Sequence, residues 1–141
     1  MKRAAVARSR PLIQERLLPP VIGAAAAAAL LVVAVRDPGQ PGHYPSCPLY
    51  AVSGLYCPGC GTLRCLHALT HGDLGAALGF NVLTVLALPY LAFTWAAWLR
   101  RSRTGVPRGA VAPAWVLWSV LCVVVVFWVL RNLPPFGALA P

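Results

Sequence analysis

Three long apolar runs, residues 17–35, 74–99 and 113–130, limit what this chain can become more than any other feature. At about 1.5 Å per residue the first of them, as a helix, covers about 28 Å, close to the hydrocarbon thickness of a bilayer. Residues 17–35 carry no polar side chain, and where water is absent each backbone N–H and C=O must be satisfied within its own helix. The runs predict an all-α membrane protein with three transmembrane helices, whose first partner is the lipid bilayer. Composition agrees, because 59% of the 141 residues are hydrophobic and only 11% are charged, too little polar surface to coat a soluble domain.

The formal charge of +9 raises the question of nucleic acid, and its distribution answers no. Lys2, Arg3, Arg8, Arg10 and Arg16 precede the first span, and Arg100, Arg101, Arg103 and Arg108 lie between the second and third. Arg36, Arg64 and Arg131 fall on the opposite side, and a bias of this kind sets topology. The expected order is a cytoplasmic basic tail (1–16), span one (17–35), an extracytoplasmic cysteine-rich loop (36–73), span two (74–99), a cytoplasmic basic loop (100–112), span three (113–130) and an extracytoplasmic tail (131–141). The first run is read as a span and not a cleaved leader, since the basic segment is long for a leader and no small-x-small site follows the run.

Within the loop, residues 36–56 are rich in Pro and Gly and carry Tyr44, Tyr50 and Tyr56, which predicts an irregular interfacial segment. Leu63, Leu66 and Leu69 recur every three residues, so a short amphipathic helix is expected over 62–71, ended by Gly72. Asp73 is placed to cap one continuous helix that runs through Asn81, with a kink at Pro89 and Trp95 and Trp98 in an interfacial belt.

Cys47, Cys57, Cys60 and Cys65 fall within this loop, whereas Cys122 stands alone in the third run and reads as a small packing residue. Cys57-Pro58-Gly59-Cys60-Gly61 sets two thiols about one turn apart, a spacing that serves a metal knuckle, a disulfide or a reactive dithiol. Zinc needs two further ligands, for which Cys47, Cys65, His43, His67 and His71 are candidates. The three acidic residues, Glu15, Asp37 and Asp73, are too few for a calcium or magnesium site built from several carboxylates. Arg64 and Asp73, each costly alone at a membrane, are expected to form a salt bridge that clamps the amphipathic helix to span two, a ligand site being the alternative. Asn81 is expected to be a helix-packing hydrogen bonder. His67 and His71 share a helical face and are expected to be exposed.

Residues 47–81 resemble a family of small bacterial membrane proteins known only as a domain of unknown function. The resemblance rests on Cys47-Pro48, Ser53-Gly54-Leu55, Cys57-Pro58-Gly59-Cys60-Gly61-Thr62-Leu63-Arg64, Gly72-Asp73, Ala77 and Asn81. It implies a multi-pass protein of a bacterial cytoplasmic membrane and marks Cys47, Cys57, Cys60, Arg64, Asp73 and Asn81 as the shared set. Cys65 and His67 are additions here, and Val82 stands where proline is common. No activity, substrate or cofactor comes with it.

Three functions follow as expectations. The first is a non-enzymatic module or accessory subunit whose loop docks another membrane protein or a second copy. The second is a zinc-type site on Cys47, Cys57 and Cys60, and the third a thiol-disulfide component using Cys57 and Cys60. No nucleophile and base pair assigns a reaction, and no span carries a mid-depth ionisable residue for transport.

Overall fold

The structure, a computed structural model, describes residues 2–105 and 113–139. In chain order it contains α1 (Lys2–Val35), α2 (Pro48–Ser53), α3 (Thr62–Thr70), α4 (Leu74–Thr104), α5 (Ala114–Arg131) and a 3-10 helix (Pro134–Leu139). Arg16–Val35, Leu74–Thr104 and Ala114–Arg131 are long and apolar enough to cross a membrane. The molecule is a multi-pass, all-helical membrane protein in contact with lipid, with its cysteine cluster between the first two spans.

Element boundaries reach past the apolar runs. Helix α1 extends upstream through the basic tail to Lys2. Helix α4 continues through Arg100, Arg101 and Arg103 to Gly105, whose φ of 69° closes it; the rest of the expected basic loop, 106–112, lies outside the described residues. Helix α2 was not expected. It begins at Pro48, where a missing N–H costs nothing, and ends at Gly54, whose φ of 71° lets its N–H reach Tyr50 O at 2.9 Å.

The expectation of one continuous helix over 74–99 is corrected. Pro89 lies in helical backbone, and the break falls at Asn81, with φ −164° and ψ 94°. Asn81 Oδ1 accepts the Thr84 N–H at 3.0 Å, the signature of an N-cap, so α4 is two helices that meet at a capping asparagine. A proline in the place of Val82 would occupy the first turn of the second helix, where it is well tolerated.

Small residues bring the helices together. Cys65 and Ala68 of α3 and Ala77 of α4 are buried against each other, with Leu69, Ala76, Phe80 and Val85 around them. Helix α1 joins this pair at both ends: Trp95 Nε1–H donates to Pro19 O at 3.0 Å, and His67 Nδ1–H donates to Val33 O at 2.7 Å. The Trp95 ring lies so close to Gly23 that a Cβ there would collide with it. Helix α5 is held mainly at its C-terminal end and exposes Trp115, Trp118, Val123 and Val126. Cys122 is exposed on α5, not packed as expected.

Candidate metal centre

The ends of α1 and α5 and the start of α4 converge on the loop that holds the cysteines. Cys47 adopts φ −60° and ψ 122°, the extended backbone required before proline, and leads into α2. Ten residues on, a tight turn returns Cys60 N–H to Cys57 O at 3.1 Å, and Gly61, at φ 83°, directs the chain into α3. The Cys57–Cys60 Sγ separation is 3.0 Å and the Cys47–Cys57 separation 3.5 Å, and all three sulfurs lie within 4.8 Å of one another. Cys57 N–H also donates to Cys60 Sγ at 3.2 Å. The three thiols are partly buried and unbonded.

Cys65 does not join them. It is fully buried in the α3–α4 contact, its thiol directed at Asn81 O at 3.7 Å. The histidine rings are each oriented by a backbone carbonyl, His43 Nδ1–H donating to Asp37 O at 2.9 Å, His67 to Val33 O, and His71 Nδ1–H to His67 O at 2.9 Å, and none brings a ring nitrogen to the sulfurs among the described residues. Among the described residues, no fourth His, Cys, Asp or Glu ligand atom groups with the three sulfurs.

The expected Arg64–Asp73 clamp is also corrected. Both residues border a cavity of about 270 Å³ together with Asp37, His67 and His71, and no ion pair joins them among the described residues. An Asp73 oxygen is instead taken by the Ala76 N–H at 2.8 Å as the cap of α4. The clamp on the loop comes from Asn81, Arg131 and Asn132. Asn81, 2% exposed, donates through Nδ2 to Pro58 O at 2.9 Å and Cys60 O at 3.1 Å. Arg131, also 2% exposed, donates to Cys57 O at 2.8 Å, Pro58 O at 3.3 Å and Cys60 O at 3.2 Å. Asn132 pairs with both backbone groups of Tyr56, accepting its N–H at 2.8 Å and donating to its O at 2.9 Å.

The turn carbonyls are thus consumed by one guanidinium and one amide. Arg131 sits 5.0 Å from the Phe127 ring centre and 5.9 Å from that of Tyr56, its Nε has no partner, and no carboxylate pairs with it among the described residues. Sequence reasoning placed Arg131 at the end of span three and gave it no role. The available clue was its position: an arginine at the C-terminal end of α5 lies at the same end of the helices as the cysteine loop.

The thiols differ in acidity. The Tyr50 backbone N–H and then the Cys60 and Cys57 thiols stabilise the Cys47 thiolate and lower it to about 7. Burial pushes Cys60 up to about 12 and raises Cys65 as well. All three clustered cysteines line one side of a cavity of about 730 Å³, with Tyr50, Tyr56 and Arg64 also in its wall. The Tyr50 and Tyr56 rings stack at 4.8 Å.

Fold and site together define a three-span membrane protein with a clamped cysteine loop at one end of its helices. Residues 47–95 match the family described as a protein of unknown function, DUF2752. The match takes in Cys47, Cys57, Cys60 and Asn81, while Arg131 and Asn132 lie outside it. No curated protein and no solved structure matches the chain.

Proposed function

We propose that the protein binds a soft or borderline metal ion of the zinc type through Cys47, Cys57 and Cys60, at the extracytoplasmic face of a bacterial cytoplasmic membrane. The observation that carries this reading is the convergence of three sulfurs from two separate segments within 4.8 Å. Zinc–thiolate bonds of about 2.3 Å put tetrahedral sulfurs about 3.8 Å apart, so small side-chain rotations suffice. Metal entry displaces the thiol protons, including that of the poorly acidic Cys60.

Arg131 favours this reading over a closed disulfide. Three thiolates around a divalent ion carry one net negative charge, which matches the buried guanidinium behind the turn. A disulfide is neutral and would leave Arg131 with carbonyl dipoles and the faces of Phe127 and Tyr56 but no counter-charge, and an unpaired buried charge costs several kcal/mol. The orientation follows from the basic tracts at the other end of the spans.

The test is elemental analysis of protein purified in mild detergent without chelator, paired with alkylation and intact mass. Near-stoichiometric zinc or copper that is lost in Cys57→Ser, with thiols exposed by chelation alone, supports the proposal. Thiols that alkylate only after reduction, in metal-free protein, overturn it.

A further inference from the structure

The donor set of the three-cysteine centre is one short of a closed tetrahedron. Structural zinc sites use four protein ligands, whereas sites that handle an external ligand use three and leave one position open. Here no histidine ring nitrogen groups with the three sulfurs among the described residues, and Cys65 is sealed between α3 and α4. The carbonyls of Cys57, Pro58 and Cys60 accept from Arg131 and Asn81. The turn therefore offers the metal sulfur alone.

The open side has somewhere to lead. Cys47, Cys57 and Cys60 all face the cavity of about 730 Å³, room for a ligand of several heavy atoms. Its wall is mostly glycine, proline and tyrosine, with the neutral polar side chains of Gln40, Ser46 and Thr62, and apart from the thiols Arg64 is its one charged side chain among the described residues. No carboxylate lines it. A cation at the wall and a metal at the base suit an anion that can donate an electron pair.

We infer that the centre keeps its fourth coordination position open to this cavity and takes there an exchangeable small anionic Lewis base, with Arg64 drawing the anion in. The inference rests on the metal reading above. It makes the centre a ligand-binding site and not a structural staple.

Cobalt(II) separates the two ideas, because its visible bands report the ligand set directly. The detergent-purified, reduced, full-length protein is loaded with cobalt(II) and titrated with sodium azide, and in parallel with imidazole as a neutral comparator. The expected result is a thiolate–cobalt spectrum whose visible ligand-field bands shift saturably with azide. In Arg64→Gln the spectrum without azide is expected to be unchanged and the half-saturating azide concentration raised several-fold, with the imidazole titration unmoved. A bound cobalt spectrum indifferent to both probes means a closed site and overturns the inference while leaving the metal reading intact. Response to both probes without dependence on Arg64 overturns the anion preference. Failure to bind cobalt at all defeats the metal reading and the inference with it.

Discussion

Cys47 and Cys60 belong to one cluster, yet opposite forces act on their thiols. An amide N–H and two neighbouring thiols hold the Cys47 thiolate, bringing it to about 7, while desolvation takes Cys60 to about 12. Since the thiolate is the nucleophile, its population rises as pH passes the thiol's own value. In metal-free, reduced protein, iodoacetamide at pH 7.5 is expected to modify Cys47 well before Cys60, with the Cys47 rate levelling off above pH 8; peptide mapping by mass gives the order. Equal rates at the two positions would contradict the environments described. Arg131 invites a second substitution. Arg131→Met takes one of two donors from each of three turn carbonyls and removes the cation behind the cluster, so bound metal should be lost to a competing chelator at least tenfold more readily, whereas Arg131→Lys, which keeps the charge, should be intermediate. Neither the charge match nor the carbonyl clamp was readable in sequence, because Arg131 meets residues more than 70 positions away.

At the scale of elements, Asn81 does two things with one amide. Its oxygen starts the second half of α4 and its nitrogen holds the cysteine turn, so it couples a helix cap to the site. Asn81→Ala should cost about 1–3 kcal/mol, a cap of about 1 plus the loss of two buried hydrogen bonds to the turn. Asn81→Asp keeps an acceptor for the Thr84 N–H and loses the donor, so it should retain helix content by circular dichroism while releasing metal; equal metal retention in Asp and wild type would break the proposed link. The short helix at 62–71 was legible as α3 because Leu spacing and Gly72 are local signals. Helix α2 was not, since its six residues are too few to show a period. The break at Asn81 was hidden by an apolar sequence on both sides that reads as one span. The close approach of α1 and α4 is a further element-scale feature: Gly23→Val would thrust its side chain into the Trp95 ring and should lower the midpoint of thermal unfolding in detergent, while Ala27→Val, one turn along α1, should have a smaller effect.

For the whole molecule, the spans and the cysteine loop were legible because both are written in contiguous stretches of sequence. What draws them into one object was not, since the thiols of the first loop are held in place by residues from the start of α4 and the far end of α5. That assembly has a directional consequence. The Val33, Asn81 and Arg131 contacts tie the loop-side ends of the helices together, and the Pro19–Trp95 bond lies toward the opposite end, where Arg100, Arg101 and Arg103 continue α4. Positive charge held at one end and thiols at the other predict that the cluster faces out of the cytoplasm. A membrane-impermeant maleimide applied to intact cells, after mild reduction and chelation, should label Cys47. The same reagent should reach Thr104→Cys, exposed at the basic end of α4, only once the cells are lysed. Labelling of Thr104→Cys in intact cells with Cys47 protected would reverse the orientation and place the thiols in a reducing compartment, where a metal would have to compete with the cell's own thiols for its site.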